Sequence, residues 1–267
     1  MNHPNAERPR VLFLIPTLDD GGAERVASTL SVGLGDRVEI HLLLHDARRV
    51  HYPYKGVVYG LDAPGGRFRP IRVILNQVHR IRKIRKFKAE HRITAAVSFF
   101  EPSNLYNILT RGSERVILTV HNQKSAEARG SASFRGKMAE WMYKPLIRRL
   151  YPRADRVVAV SRGVACDLAD RYGLPENRIG VIPNALPVKT IQSMAHSPLP
   201  PEHAHIFEHP VLIHAGRLAP QKGHIHLFRA FRIIREVLPD LSLVLLGEGP
   251  LEERLKCRAR ELGIEEN

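Results

Sequence analysis

Short apolar runs alternate with segments of helical periodicity along the first 182 residues. Continuous apolar runs indicate buried strands, and apolar residues recurring every three or four positions indicate helices. The predicted strands are 10–16, 38–44, 57–60, 93–99, 115–120, 156–160 and 178–182. The predicted helices are 23–34, 71–84, 102–111, 134–151 and 163–172. Strands that alternate with helices predict a parallel sheet covered on both faces.

The alternation resumes after a proline-rich stretch. Residues 183–210 contain six prolines and little periodicity, which favours a linker. Two further strands are predicted at 211–215 and 241–246, with helices at 223–237 and 250–262. We therefore predict an α/β fold with an N-terminal Rossmann-type domain (1–185), a linker (186–209) and a second such domain (210–267). Because doubly wound domains usually contain about 100 residues or more, the second domain is expected to be incomplete.

Composition narrows the class of protein. The chain is 43% apolar and contains no apolar run long enough for a spanning helix. Its first apolar run, 11–15, is too short for a signal-peptide core, so a cytoplasmic protein is expected. Cys166 and Cys257 lie far apart without metal-ligand spacing, and we interpret both as buried small hydrophobic residues.

The positive charge is concentrated in the first domain. The chain has a net charge of +14; residues 1–185 hold 31 Lys and Arg against 17 acidic residues, whereas residues 186–267 hold ten of each. Ten of the cations lie within Arg67–Arg92, and a second basic helix, Arg135–Arg153, carries Trp141. Anionic lipids attract such surfaces, and Trp suits the headgroup region. These features predict peripheral binding to an anionic membrane. Nucleic acid is not an expected partner, because no nucleic-acid-binding motif accompanies the charge.

Several short motifs together resemble the retaining glycosyltransferases of the GT-B fold, in particular family 4. In chain order they are FLIPTLDDGGAER (13–25), ILTVHN (117–122), VVAVS (157–161), VIPN (181–184), IHAGRLAPQKG (213–223) and LLGEGPL (245–251). The resemblance implies a hexosyltransferase-type enzyme. It would move a sugar, with retention, from a nucleotide-diphosphate sugar to a lipid-linked or envelope-glycan acceptor. The first domain would be the acceptor side, at the inner face of the cytoplasmic membrane.

The residues that follow predicted strands are the candidate site. Gly21 and Gly22 open the first helix, where missing Cβ atoms and free N–H groups suit an anion. Arg217 and Lys222 flank a turn after the strand 211–215, and two cations there suit a diphosphate leaving group without a metal. We therefore expect no metal and no cofactor. His121 follows the strand 115–120, and the resemblance places it close to the donor sugar.

The resemblance also implies ligand-binding roles for Asn184, Gly216, Gly247 and Glu248, whereas Glu24 receives little weight. A second acidic motif that the family carries further on does not occur before Asn267. A non-catalytic remnant or subunit of the same fold therefore remains the alternative. A sugar-nucleotide epimerase or hydrolase of this fold is disfavoured, because Asp19 and Asp20 form no clear acid/base pair.

Overall fold

The computed structural model describes residues 7–19, 21–61, 70–123 and 134–265, with backbone alone at 70–75 and 134–140. The chain divides into two compact units, unit 1 at Met1–Leu186 and unit 2 at Pro187–Asn267. Part of the basic segment predicted at Arg67–Arg92 lies outside the described residues, as does Asp20. Among the described residues, no helix is both long and apolar enough to cross a membrane.

Within the described ranges, unit 1 is built on one sheet of seven parallel strands. They are β1 (Arg10–Ile15), β2 (Glu39–Leu44), β3 (Val57–Gly60), β4 (Ala95–Phe99), β5 (Arg115–Val120), β6 (Arg156–Ala159) and β7 (Ile179–Val181). Their spatial order is β3-β2-β1-β4-β5-β6-β7, so the direction of winding reverses between β1 and β4. Each of the seven predicted strands is present, which confirms the predicted α/β fold class. In such sheets ligands bind at the carboxyl ends of the strands near this reversal.

In the part of unit 1 that the structure describes, five helices pack on the sheet. They are α1 (Gly22–Leu34), α2 (Pro70–Glu90), α3 (Ser103–Leu109), α4 (Phe134–Leu150) and α5 (Arg162–Tyr172). Local sequence explains the ends of α5: the Ser161 hydroxyl accepts a hydrogen bond from the Val164 N–H, and Gly173 takes the left-handed conformation after the last turn.

The core lies on both faces of the central strands, as parallel sheets require. Leu12 and Leu14 of β1 pack against Ile84 of α2 on one face, and Phe13 packs beside Ala27 of α1 on the other. A further cluster joins β5, β6, α4 and α5 around the fully buried Tyr151. Because successive side chains of a strand point to opposite faces of the sheet, each face packs against its own layer of helices.

The loop before β5 is anchored by a buried charged group. The Lys88 ammonium, at the end of α2, donates to Glu114 Oε1 (2.7 Å), Asn107 Oδ1 (2.8 Å) and the Asn107 carbonyl (3.1 Å). Lys88 and Glu114 are each only 5% exposed. Burial lowers the pKa of Lys88, and the Glu114 carboxylate opposes that shift. The network therefore joins α2, α3 and the start of β5.

Unit 2 contains the parallel strands β8 (Val211–Ala215) and β9 (Ser242–Leu246). The helices α8 (His224–Arg235) and α9 (Glu252–Glu261) pack on them. Their core holds Leu218, Phe228, Phe231, Leu241, Leu255 and Ile264. The stretch predicted as a linker also contains two short helices, α6 (Val188–Ala195) and α7 (Pro201–Ala204). Neither buries a residue, and the sequence interpretation missed both helices.

The prediction that the two cysteines are buried is wrong, because both are exposed. Cys166 lies on α5, whose buried face is formed by Val164, Asp167, Leu168 and Tyr172. Cys257 lies on α9, which buries Leu255. Helical spacing places both thiols on the side of the helix opposite to those buried positions. Which side is buried depends on how each helix packs on the sheet.

Replacing Lys88 by Met should lower the free energy of unfolding by about 3–5 kcal/mol, because it leaves the Glu114 carboxylate buried without its cation. Urea titration followed by circular dichroism measures this loss. Lys86→Met, on the exposed face of the same helix, is the control and should change stability by less than about 1 kcal/mol. Combining Lys88→Met with Glu114→Gln should restore part of the loss. A double variant as unstable as Lys88→Met alone would contradict this account.

Candidate functional site

The strand register brings the carboxyl ends of the central strands of unit 1 to one edge. Ile15 of β1 pairs with Leu44 of β2, Leu14 pairs with Ser98 of β4, and Phe99 pairs with Thr119 of β5. The segments that follow these strands therefore lie side by side. This edge carries Gly21, Gly22 and His121, together with residues that the sequence did not single out.

The two glycines at the start of α1 differ in what surrounds them. A Cβ added to Gly21 would lie 2.5 Å from Cδ of Glu24, whose carboxylate folds back over the loop. A Cβ at Gly22 would meet nothing within 4 Å. Oxygen Oε2 of Glu24 is buried and has no hydrogen-bond partner among the described residues. Glu24, which sequence reasoning set aside, thus occupies the helix N-terminus at which an anion was expected.

His121 is oriented by the residues around it. Its Nε2 lies 2.9 Å from Thr119 Oγ1, and that hydroxyl donates its proton to the Ser98 carbonyl at 2.8 Å. Nε2 must therefore carry a proton and donate to Oγ1, which makes Nδ1 the acceptor of the neutral ring. The ring also stacks on Phe99, with centroids 5.9 Å apart, and contacts Phe100 at 5.5 Å.

The turn after β4 holds a carboxylate that sequence reasoning missed. Phe100 has a φ of +64°, a conformation rarely adopted by bulky side chains. The next residue, Glu101, accepts hydrogen bonds from the Tyr151 hydroxyl and from Asn104 Nδ2 (3.4 Å). Asn104 also donates to the Thr119 carbonyl at 3.1 Å. Because Tyr151 lies 50 positions further along the chain, no local motif could reveal this network.

Asp19 anchors the loop after β2 to the end of β1. Its carboxylate is 4% exposed and pairs with Arg49 and His51. The hydrogen bond from His51 is the main cause that lowers the pKa of Asp19, with Arg49 acting in the same direction. Asp19 is therefore committed to holding the loop.

In unit 2, the loops after β8 and β9 are joined by backbone hydrogen bonds. Gly216 N donates to the Leu246 carbonyl (2.8 Å), and Leu218 N donates to the Glu248 carbonyl (2.8 Å). Gly247 has a φ of +148°, and a Cβ there would lie 2.9 Å from the Gly216 carbonyl carbon and closer still to its oxygen. The glycines predicted as ligand-binding residues thus allow the two loops to approach closely.

Two cations project from these joined loops. Arg217 and Lys222 are both exposed, and neither forms an ion pair with another residue that the structure describes. The Lys222 side chain passes Gly216, whose missing Cβ would lie 3.4 Å from Lys222 Cε. Two imidazole rings, His214 and His224, pack edge to face nearby with centroids 4.8 Å apart. Burial chiefly lowers the pKa of His224, and the charges of His214 and Lys222 add to this shift.

The two remaining predicted residues, Asn184 and Glu248, also follow the carboxyl ends of strands. Asn184 is exposed in the segment after β7, and the Glu248 side chain is exposed after β9. In unit 1 the structure thus brings Gly21, Gly22 and His121 to one sheet edge. In unit 2 it groups Gly216, Arg217, Lys222, Gly247 and Glu248.

The close approach of the two loops can be tested with paired glycine substitutions. Gly247→Ala should lower the melting temperature of the protein by several degrees, because its new Cβ collides with the Gly216 backbone. Gly263→Ala is the matched control: it also has a positive φ (+65°), but its Cβ would enter open space. Differential scanning calorimetry measures both. Equal losses of melting temperature would show that backbone conformation, and not the loop contact, decides the effect.

The comparisons with known proteins identify the family. Residues 20–190 match the model of Glycosyltransferase Family 4, and residues 199–267 match that of Glycosyl transferases group 1. A transferase of Campylobacter jejuni, N-acetylgalactosamine-N,N'-diacetylbacillosaminyl-diphospho-undecaprenol 4-alpha-N-acetylgalactosaminyltransferase, is 26% identical over 254 residues, 95% of this chain and 67% of that protein.

A GDP-mannose-dependent alpha-(1-6)-phosphatidylinositol monomannoside mannosyltransferase of Mycolicibacterium smegmatis is 30% identical over 146 residues, 51% of this chain and 37% of that protein. The fold resembles that of Anabaena HepE, solved in complex with UDP and glucose, with a TM-score of 0.66 and 16% identity. That likeness covers 96% of this chain and 67% of HepE. The family predicted from the motifs is confirmed: the chain belongs to glycosyltransferase family 4.

Proposed function

We propose that the whole protein transfers a sugar, with retention, from a nucleotide-diphosphate donor to a lipid-linked or envelope-glycan acceptor. The observation that carries this proposal is the pair of exposed cations, Arg217 and Lys222, on the joined loops after β8 and β9. HepE was solved with UDP and glucose, which supports a nucleotide-sugar donor here. The Campylobacter relative is named for a diphospho-undecaprenol substrate, which supports a lipid-linked acceptor.

The proposed role of the cations follows from the charge that develops during transfer. When the bond between the sugar and the diphosphate breaks, negative charge grows on the leaving phosphate. Arg217 and Lys222 stabilise that charge, and no divalent metal is required for it. The lowered pKa of His224 keeps that ring neutral, so it adds no charge of its own near Lys222.

Unit 1 is proposed to receive the acceptor at the carboxyl edge of its sheet. His121, held by Thr119 and by the Phe99 ring, is proposed to hydrogen-bond a hydroxyl of the donor sugar. The ring is held in one direction, because Nε2 lies within hydrogen-bonding distance of Thr119 Oγ1 and the ring stacks on Phe99. This arrangement orders the sugar and makes no covalent bond to it.

The same unit is proposed to dock on the inner face of the cytoplasmic membrane. On α2, Arg82 and Lys86 project into solvent beside the buried Ile84. On α4, Trp141 is 78% exposed and Met142 is 48% exposed. Lipid headgroups suit this combination, since cations attract anionic lipid and an exposed Trp inserts at the interface.

Replacing Arg217 or Lys222 by Ala should lower the transfer rate by about 100-fold or more, because each removes a cation from the developing leaving-group charge. The assay uses the complete gene product and follows release of the nucleoside diphosphate from sugar nucleotides. Arg229→Ala, an exposed cation on α8, is the matched control and should leave the rate unchanged. Chelation by EDTA should also leave the rate unchanged. Normal rates in both loop variants, or loss of activity with EDTA, would contradict the proposed donor site.

The membrane proposal predicts stronger binding to anionic than to neutral vesicles. Replacing Arg82 and Lys86 by Gln should weaken binding to phosphatidylglycerol vesicles by about 30-fold, since each nearby cation contributes about 1 kcal/mol. These two are chosen because Lys83 and Arg85 bond the backbone carbonyls of Gly60 and Leu109 and so support the fold.

The control for vesicle binding replaces Arg229 and Arg232, two exposed cations of α8, by Gln. It removes the same charge from unit 2 and should leave vesicle binding unchanged. Trp141→Ala should weaken binding without changing its dependence on salt, because the indole is uncharged. Equal binding of all variants to neutral and anionic vesicles would show that the basic face serves another purpose.

A further inference from the structure

The turn after β4 presents a carboxylate, Glu101, at the carboxyl edge of the sheet. Glu101 directly follows Phe100, whose ring contacts the His121 ring with centroids 5.5 Å apart. Glu101, Phe100 and His121 are each partly exposed, so solvent reaches this stretch of the edge. Open α/β sheets bind their ligands at the carboxyl ends of the strands. Glu101 therefore has the position of a ligand-binding group next to the residue proposed to bind the donor sugar.

The backbone that presents Glu101 is strained. Phe100 has a φ of +64°, a left-handed conformation that costs free energy for a bulky side chain. Strain of this kind persists only where the surrounding contacts fix it, and it is concentrated at active sites and ligand-binding sites. The strained turn is thus a second indication that the position of Glu101 matters for binding.

Buried donors fix the direction of the Glu101 carboxylate. The Tyr151 hydroxyl and Asn104 Nδ2 (3.4 Å) both donate to Glu101 Oε1, and neither Tyr151 nor Asn104 has any exposed surface. Asn104 also donates to the Thr119 carbonyl, and Thr119 Oγ1 lies 2.9 Å from His121 Nε2. One network of hydrogen bonds therefore sets the positions of Glu101 and His121 relative to each other.

We propose that Glu101 recognises a hydroxyl group of the acceptor sugar and so helps to decide which acceptors are used. An ionised carboxylate can accept about four hydrogen bonds, and the two that anchor Glu101 use only part of this capacity. A bond from a hydroxyl to a carboxylate is charge-assisted and stronger than a bond between neutral groups. Because a carboxylate repels phosphate, this position suits the uncharged sugar of an acceptor. The inference deepens the proposed function, on which it rests.

Replacing Glu101 by Gln separates recognition from structural support. The amide oxygen can still accept from Tyr151 and Asn104, so the melting temperature should stay unchanged. Transfer by the complete gene product should lose about tenfold in kcat/KM for the acceptor, because a charge-assisted bond becomes a neutral one. Hydrolysis of the sugar nucleotide without acceptor should be unaffected. Glu176→Gln, an exposed carboxylate just before β7 at the opposite edge, is the matched control and should change neither rate.

Acceptors that lack single hydroxyl groups test recognition directly. One monodeoxy form of the acceptor sugar should lower kcat/KM of the unmodified protein by about tenfold but hardly change that of Glu101→Gln, because the two changes remove the same bond. A purely structural role of Glu101 predicts that every deoxy acceptor loses the same factor in both proteins. That result, or equal slowing of donor hydrolysis and transfer by Glu101→Gln, would overturn the inference.

A binding experiment without transfer distinguishes failure of this inference from failure of the proposed function. The chain is titrated with the methyl glycosides of glucose and N-acetylgalactosamine while the His121 ring protons are followed by NMR. At least one glycoside should shift these signals, and Glu101→Gln should weaken its binding by about tenfold. No shift with either glycoside, or equal binding by Glu101→Gln, would overturn the inference. If a glycoside binds as expected but the complete gene product transfers no sugar, the proposed reaction fails and sugar recognition by Glu101 stands.

Discussion

The register of the parallel strands is the constraint on which the rest of unit 1 depends. Because β1, β2, β4 and β5 are paired in parallel with their carboxyl ends aligned, every segment that follows them emerges at one edge. A slip of one residue would turn each side chain to the opposite face. The alignment is held by apolar packing on both faces, where Leu12 and Phe13 point in opposite directions from β1.

Beneath that edge, buried hydrogen bonds tie the turns to the core. Ser98 and Asn104 are fully buried, and the Ser98 hydroxyl donates to Asn104 Oδ1 at 2.7 Å. Asn104 reaches both Thr119 and Tyr151, so the turn after β4 and the residue that orients His121 share one network. Such a network specifies one arrangement, because any shift would leave buried polar groups without partners. Rigid placement of this kind suits the sugar-ordering role proposed for His121.

Charge is distributed differently in the two units, and this division matches the proposed division of labour. In unit 2 the cations at the loops are local and exposed, which suits the proposed binding and release of a nucleotide product. In unit 1 positive charge extends over α2 and α4, which suits a broad anionic surface.

The sequence by itself determined the order and type of the strands and helices that build the two sheets. It also located the strand ends that carry Gly21, His121, Arg217 and Lys222. Periodicity and motifs are local properties of the sequence, so they can be recognised without knowing the tertiary structure. Only the tertiary structure decided which distant positions meet, as Glu101 meets Tyr151 and His45 meets Ser103. It also decided that both cysteines are exposed. The physical reason is that burial and charge compensation depend on which segments meet, and only the packed chain brings residues 50 positions apart within hydrogen-bonding distance.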